Sequence, residues 1–144
     1  MSDGGLGEFG TIRWEFTTRT GPDGFRNNGT HLWNSQDKAG ECGSLAVEQE
    51  NGQISIRGGR GVTLAAQTQP APVGSGHPAD PFRLSLLIDC DRRVITWKCT
   101  NLNTRDSIGP FEVSFTGTLK GIDATSIFIG GVGAQLDEIV IENE

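Results

Sequence analysis

Hydrophobic residues recur at every second position along much of this chain. In FGTIRWEFTT, residues 9–18, Ile12, Trp14 and Phe16 fall on one side and Arg13, Glu15 and Thr17 on the other. A period of two over this length predicts a strand with one face buried. Leu45, Val47 and Gln49 alternate ahead of Asn51-Gly52, and Ile54 and Ile56 alternate after it. Asn-Gly favours a two-residue type I′ hairpin turn, because both residues tolerate positive φ. Such a turn pairs Glu50 with Gln53 and Val47 with Ile56. Both apolar sets then share one face and leave Glu48, Ser55 and Arg57 on the other.

Val62, Leu64 and Ala66 predict a further inward set. The following QTQPAPVGSGHPADP holds four prolines, which exclude a central strand and predict a surface crossover. Phe82, Leu84, Leu86 and Ile88 alternate, as do Ile95, Trp97 and Cys99. Facing these sets predicts a hairpin with Leu86 opposite Ile95, Leu84 opposite Trp97 and Cys99 opposite Phe82, joined through residues 89–92. That register holds Cys90 at the turn and far from Cys99, which argues against a disulfide between them. Strands are also predicted near 111–119 (Phe111, Val113, Phe115), 125–130 (Ile127, Ile129) and 135–142 (Ile139, Ile141), with a short helical turn near 118–124. About nine short strands predict an all-β fold, an antiparallel two-sheet β-sandwich or jelly roll. The expectation is a single domain over residues 1–144. The segment without any period, FRNNGTHLWNSQDKAGECG at 25–43, reads as the longest loop, a place where binding residues gather.

Composition narrows the function. Twenty-one glycines in 144 residues, about twice the usual share, read as many tight turns and hence short elements. The net charge is −6, and the basic residues are scattered as singles and pairs. Neither nucleic acid nor an anionic membrane is an expected partner, since each needs a concentrated positive face. Arg57-Gly58-Gly59-Arg60-Gly61 has the look of an RNA-binding RGG box, but one copy between two strands reads as a glycine-permitted turn or bulge. The first ten residues lack the basic start and apolar run of a signal peptide, and no apolar run is long enough for a membrane span. Three cysteines (Cys42, Cys90, Cys99) include no Cys-x-x-Cys pair and fit a reducing compartment. The expected location is cytoplasmic or virion-associated.

Three pieces of the last third, over residues 82–142, resemble the concanavalin A-like lectin/glucanase superfamily, particularly its laminin-G-like branch. FRLSLLIDCDRRVITWKC is similar to the family's hydrophobic hairpin with an Asp-containing turn. SIFIGG is similar to its short glycine-ended strand, and LDEIVIENE to its closing strand. The resemblance implies a sandwich whose first and last strands lie together, with Asp137 a structural hydrogen-bonding residue. It also implies that polar rows on one sheet hydrogen-bond sugar hydroxyls. The alternating acidic strand of laminarinase-like members is missing, and His31-Leu32-Trp33-Asn34 matches neither galectin sugar-binding strand.

The candidate ligand-binding residues are His31, Trp33, Glu48 and Arg57. A tryptophan beside a hydrogen-bonding side chain suits the apolar C–H face of a sugar ring. Glu48 and Arg57 share the outward face of one hairpin, where a cross-strand charge pair is the simpler role. A glycosidase needs two carboxyls about 5–10 Å apart, and Glu48 qualifies only if its strand neighbours that of Glu15 or Glu112. Asp89 and Asp91 suit turn capping rather than a metal site, which needs about six to eight oxygens. No metal and no cofactor is expected. The reading that emerges is a lectin-like carbohydrate-binding module without catalytic activity, with a glycan as ligand. Its alternatives are a structural or assembly protein, such as a virion decoration or tail component that forms a homo-oligomer or docks on an assembly partner, and a small glycan-active hydrolase or lyase.

Overall fold

The computed structural model describes residues 9–19, 28–33, 43–50, 52–65, 67–77, 80–122, 124–129 and 135–143. Eleven strands are present among them, and no helix. One antiparallel sheet has six strands in the order β11 (Gln135–Asn143), β1 (Thr11–Arg19), β7 (Phe82–Asp89), β8 (Val94–Asn101), β9 (Ser107–Gly117) and β5 (Val62–Leu64). The other has five, in the order β10 (Ala124–Ile129), β2 (Asn28–Trp33), β3 (Leu45–Glu50), β4 (Gln53–Gly58) and β6 (Gln67–Pro70). The protein is therefore an all-β sandwich. No helix among the described residues is long and apolar enough to cross a membrane.

The alternating residues line the space between the sheets. Ile12, Trp14, Phe16, Phe82, Leu84, Leu86, Ile88, Ile95, Trp97 and Cys99 come from one sheet. Leu32, Leu45, Val47, Ile54 and Ile56 come from the other, and together they form one buried cluster. Strand pairing sets Ile141, Trp14, Leu86, Trp97 and Phe111 in a single row across five strands. The polar inward position is matched: Thr18 of β1 donates to Gln49 Oε1 of β3 at 2.9 Å, a buried bond between the two sheets.

The β3–β4 hairpin has the predicted register, Glu50 opposite Gln53 and Val47 opposite Ile56. Gly52 in its turn has φ +74°, with nothing within 4 Å of where a Cβ would stand, so backbone conformation alone calls for glycine there. β1 pairs with β11, the first and last strands side by side.

Four expectations need correction. The β7–β8 hairpin sets Leu86 opposite Trp97, Ile88 opposite Ile95 and Leu84 opposite Cys99, two residues from the predicted register. Asp89 stays in the ladder opposite Val94, its Oδ1 accepts from the Arg92 amide at 2.9 Å, and Arg93 takes φ +55°, so the connection is 90–93. The side-chain parity was right, but turn chemistry selects among registers of equal parity. Second, Gln67–Pro70 is a strand rather than part of a crossover. It lies at a sheet edge, where a proline without an N–H does not break the ladder. Third, residues 118–122 form no helix, and Asp123 lies outside the described residues. The fourth concerns the supposed loop at 25–43: Asn28–Trp33 is an inner strand of the smaller sheet, between β10 and β3. Its inward side chains are Thr30 and Leu32, buried at 1% and 0% exposure, whereas Trp33 points outward. A polar residue facing in and a tryptophan facing out hid the period. Ala66 and Cys42 lie outside the described residues.

Candidate ligand-binding face

The outward face of the five-stranded sheet follows from its registers. His31 of β2 stands opposite Ala46 of β3, and Ala46 stands opposite Arg57 of β4. One row along, Gly29 faces Glu48, which faces Ser55, which faces Thr68 of β6. Continuing both registers one step the other way brings Trp33, Ser44 and Gly59 into line. The Gly59 amide donates to the Ser44 carbonyl at 2.9 Å, in keeping with that step. The face thus carries large side chains on β2 and on the β4 side, with Ser44, Ala46 and Gly59 between them. Small residues between large ones leave a hollow. An open concavity of about 350 Å³ is lined by His31, Trp33, Ser44, Gly59 and Arg60. That volume lies within the range of small-ligand sites, roughly 300–1,000 Å³.

A Cβ at Gly59 would collide with the Ser44 hydroxyl, so a larger residue there requires the Ser44 side chain to move. Arg60 follows in the turn between β4 and β5, and it reaches the cavity from the segment that looks like an RGG box. Among the described residues, Arg60 forms no ion pair. Of the three tryptophans in the chain, Trp14 and Trp97 are buried, and Trp33 is exposed at 37%.

All four sequence-predicted residues lie on this face. His31 and Trp33 line the cavity from strand β2 rather than from a loop. Glu48 and Arg57 form a diagonal cross-strand ion pair beside it without lining it. Ser44 and Gly59 were missed, although the Asn-Gly hairpin register, extended past Leu45, puts them together. Glu15 and Glu112 lie on β1 and β9 of the other sheet, so neither strand neighbours that of Glu48. Asp89 caps the β7–β8 turn, and Asp91 Oδ2 accepts from the Gly10 amide at 3.1 Å. Cys90 and Cys99 are buried thiols, and burial pushes the Cys99 thiol up to about 12. The Asp137 side chain lies outside what is described. Among the described residues, no three His, Cys, Asp or Glu side chains gather as metal ligands would.

His31 is held below the ordinary histidine value of 6.5, chiefly by burial and secondarily by the positive charge of Arg57. At neutral pH the ring is therefore uncharged and offers both a donor and an acceptor. The unfolded chain takes up this proton at higher pH than the folded one. The stabilisation from keeping His31 neutral is thus complete above about pH 6.5 and is lost as pH falls through the folded value. An NMR titration of the imidazole should give a midpoint below 6.5, and Arg57→Gln should raise it by removing the nearby cation. A midpoint that moves down in that variant would eliminate Arg57 as a cause.

Comparison with protein-family models and with curated proteins finds no match to this sequence.

Proposed function

We propose that this protein is a lectin-like carbohydrate-binding module without catalytic activity, which takes a saccharide into the hollow of its five-stranded sheet against Trp33. One observation carries the reading: a single exposed tryptophan stands at the wall of a concavity while the other two tryptophans are buried. Exposing an indole to water is unfavourable, and a sugar ring presents a flat C–H face that relieves it. The neutral His31 ring and the Ser44 hydroxyl line the same space and suit hydroxyl groups, as donors and as acceptors. Glu48 is the one described carboxylate side chain on this face, and it is engaged by Arg57, which favours binding over hydrolysis. A concanavalin A-like assignment belongs to the same proposal. The adjacent first and last strands and the Phe82–Asp89 hairpin support it.

A panel of saccharides titrated calorimetrically, with tryptophan emission followed in parallel, tests the proposal. Binding should shift the emission and protect Trp33 from acrylamide quenching. An absence of heat and of any fluorescence change for every saccharide at millimolar concentration would defeat it.

A further inference from the structure

The charges around the hollow are unequally satisfied, and that inequality says what kind of saccharide belongs there. On the outer face of the six-stranded sheet two arginines are matched by carboxylates. Arg13 bonds Glu142 and Glu15, and Arg83 bonds Glu15 and the Glu138 carbonyl. On the five-stranded sheet, Arg57 is matched by Glu48. Among the described residues, Arg60 lines the cavity without an ion-pair partner and with no carboxylate lining the cavity beside it. A guanidinium at the rim of a small cavity prefers an anion that accepts two parallel N–H bonds, such as a carboxylate or a sulfate ester.

We infer that the hollow recognises an acidic saccharide, with the sugar ring against Trp33 and its anionic substituent on Arg60. This rests on the carbohydrate reading above and narrows it to a ligand class. The two contacts come from opposite walls: Trp33 ends strand β2, and Arg60 follows β4, with Ser44 and Gly59 as the floor between. Because the ring and the anion are held by different side chains, their contributions separate experimentally. The overall charge of −6 also helps the test, since it repels an acidic chain in general. Any preference for acidic over neutral sugar therefore reports a local cation.

The experiment compares a glucuronate-containing tetrasaccharide, its carboxyl-reduced neutral counterpart and a sulfated tetrasaccharide, each titrated into the full chain by calorimetry and tryptophan emission. The glucuronate form should bind about tenfold more tightly than the reduced form, the usual scale for a charge-assisted hydrogen bond. Arg60→Gln should bring the two constants together. Arg92→Gln removes the same charge at the β7–β8 turn on the other sheet and should leave their ratio unchanged. A sulfated ligand that outbinds the glucuronate one would identify sulfate as the anion and support the inference equally. Equal binding of acidic and neutral forms, or an acidic preference that survives Arg60→Gln, would overturn the inference and leave the carbohydrate reading standing. If none of the three produces heat or moves the emission, both fall together.

Discussion

Trp97→Ala is expected to lower the unfolding free energy by about 3–5 kcal/mol, the range for removing a buried tryptophan from a packed core. For a chain of this length that is a large share of a typical total of roughly 5–15 kcal/mol. It corresponds to a fall in Tm of about 10 °C. The effect follows from position. Trp97 is 1% exposed and lies 4.9 Å from Phe111 between ring centroids, near the middle of the inward row that crosses five strands. Truncation opens a hole that the flanking strands cannot close without breaking their ladders. Trp97→Phe should cost much less, about 1–2 kcal/mol. The indole N–H has no hydrogen-bond partner among the described residues, so phenylalanine loses volume but also removes a buried unpaired donor. Leu87, on the opposite side of β7 and 41% exposed, serves as control, and Leu87→Ala should change stability by about 0.5 kcal/mol or less. Urea unfolding of the three variants checks the order. Trp97→Ala within 1 kcal/mol of the parent would mean that the row is not the core.

This core was legible because strand periodicity is a strong signal wherever inward positions are aliphatic or aromatic. Ile12, Trp14, Phe16 and the 82–88 and 95–99 sets declare their face without help. The Val47–Ile56 register was legible for a second reason: Asn51-Gly52 favours one turn type, and a turn type sets a register. The 90–93 turn has no such signature. Parity left registers two residues apart equally acceptable, and the choice rests on the Asp89 cap and on Arg93 adopting positive φ. Strand β2 was illegible for a different reason. Thr30 faces in and Trp33 faces out, which inverts the pattern that hydropathy reads. The same inversion makes Trp33 interesting, because a sequence that alternates normally would have buried it. The identity of the candidate residues could thus be read locally, while the cavity between them could not. It needs Ser44 from β3 and Gly59 from beyond β4, residues whose only distinction is small size.

Trp33→Ala should abolish most saccharide binding, raising Kd by about ten- to thirtyfold, as expected for losing roughly 1.5–2 kcal/mol of aromatic contact. Its cost to folding should be small. Trp33 is outward on β2 and partly exposed, and Leu32 beside it fills the core instead. A stability loss below about 1 kcal/mol, set beside a large loss of affinity, separates a binding role from a packing role. Trp33→Phe sharpens the separation. A flat ring remains to cover the sugar face, so affinity should return to within a fewfold of the parent, whereas a leucine of similar apolarity should not restore it. The readout is calorimetry for affinity and urea unfolding for stability, since substitution removes the fluorescent reporter itself. Should Trp33→Ala bind as tightly as the parent while unfolding at much lower urea, the indole is a lid over the sheet end. The ligand face would then have to be sought elsewhere on the sandwich.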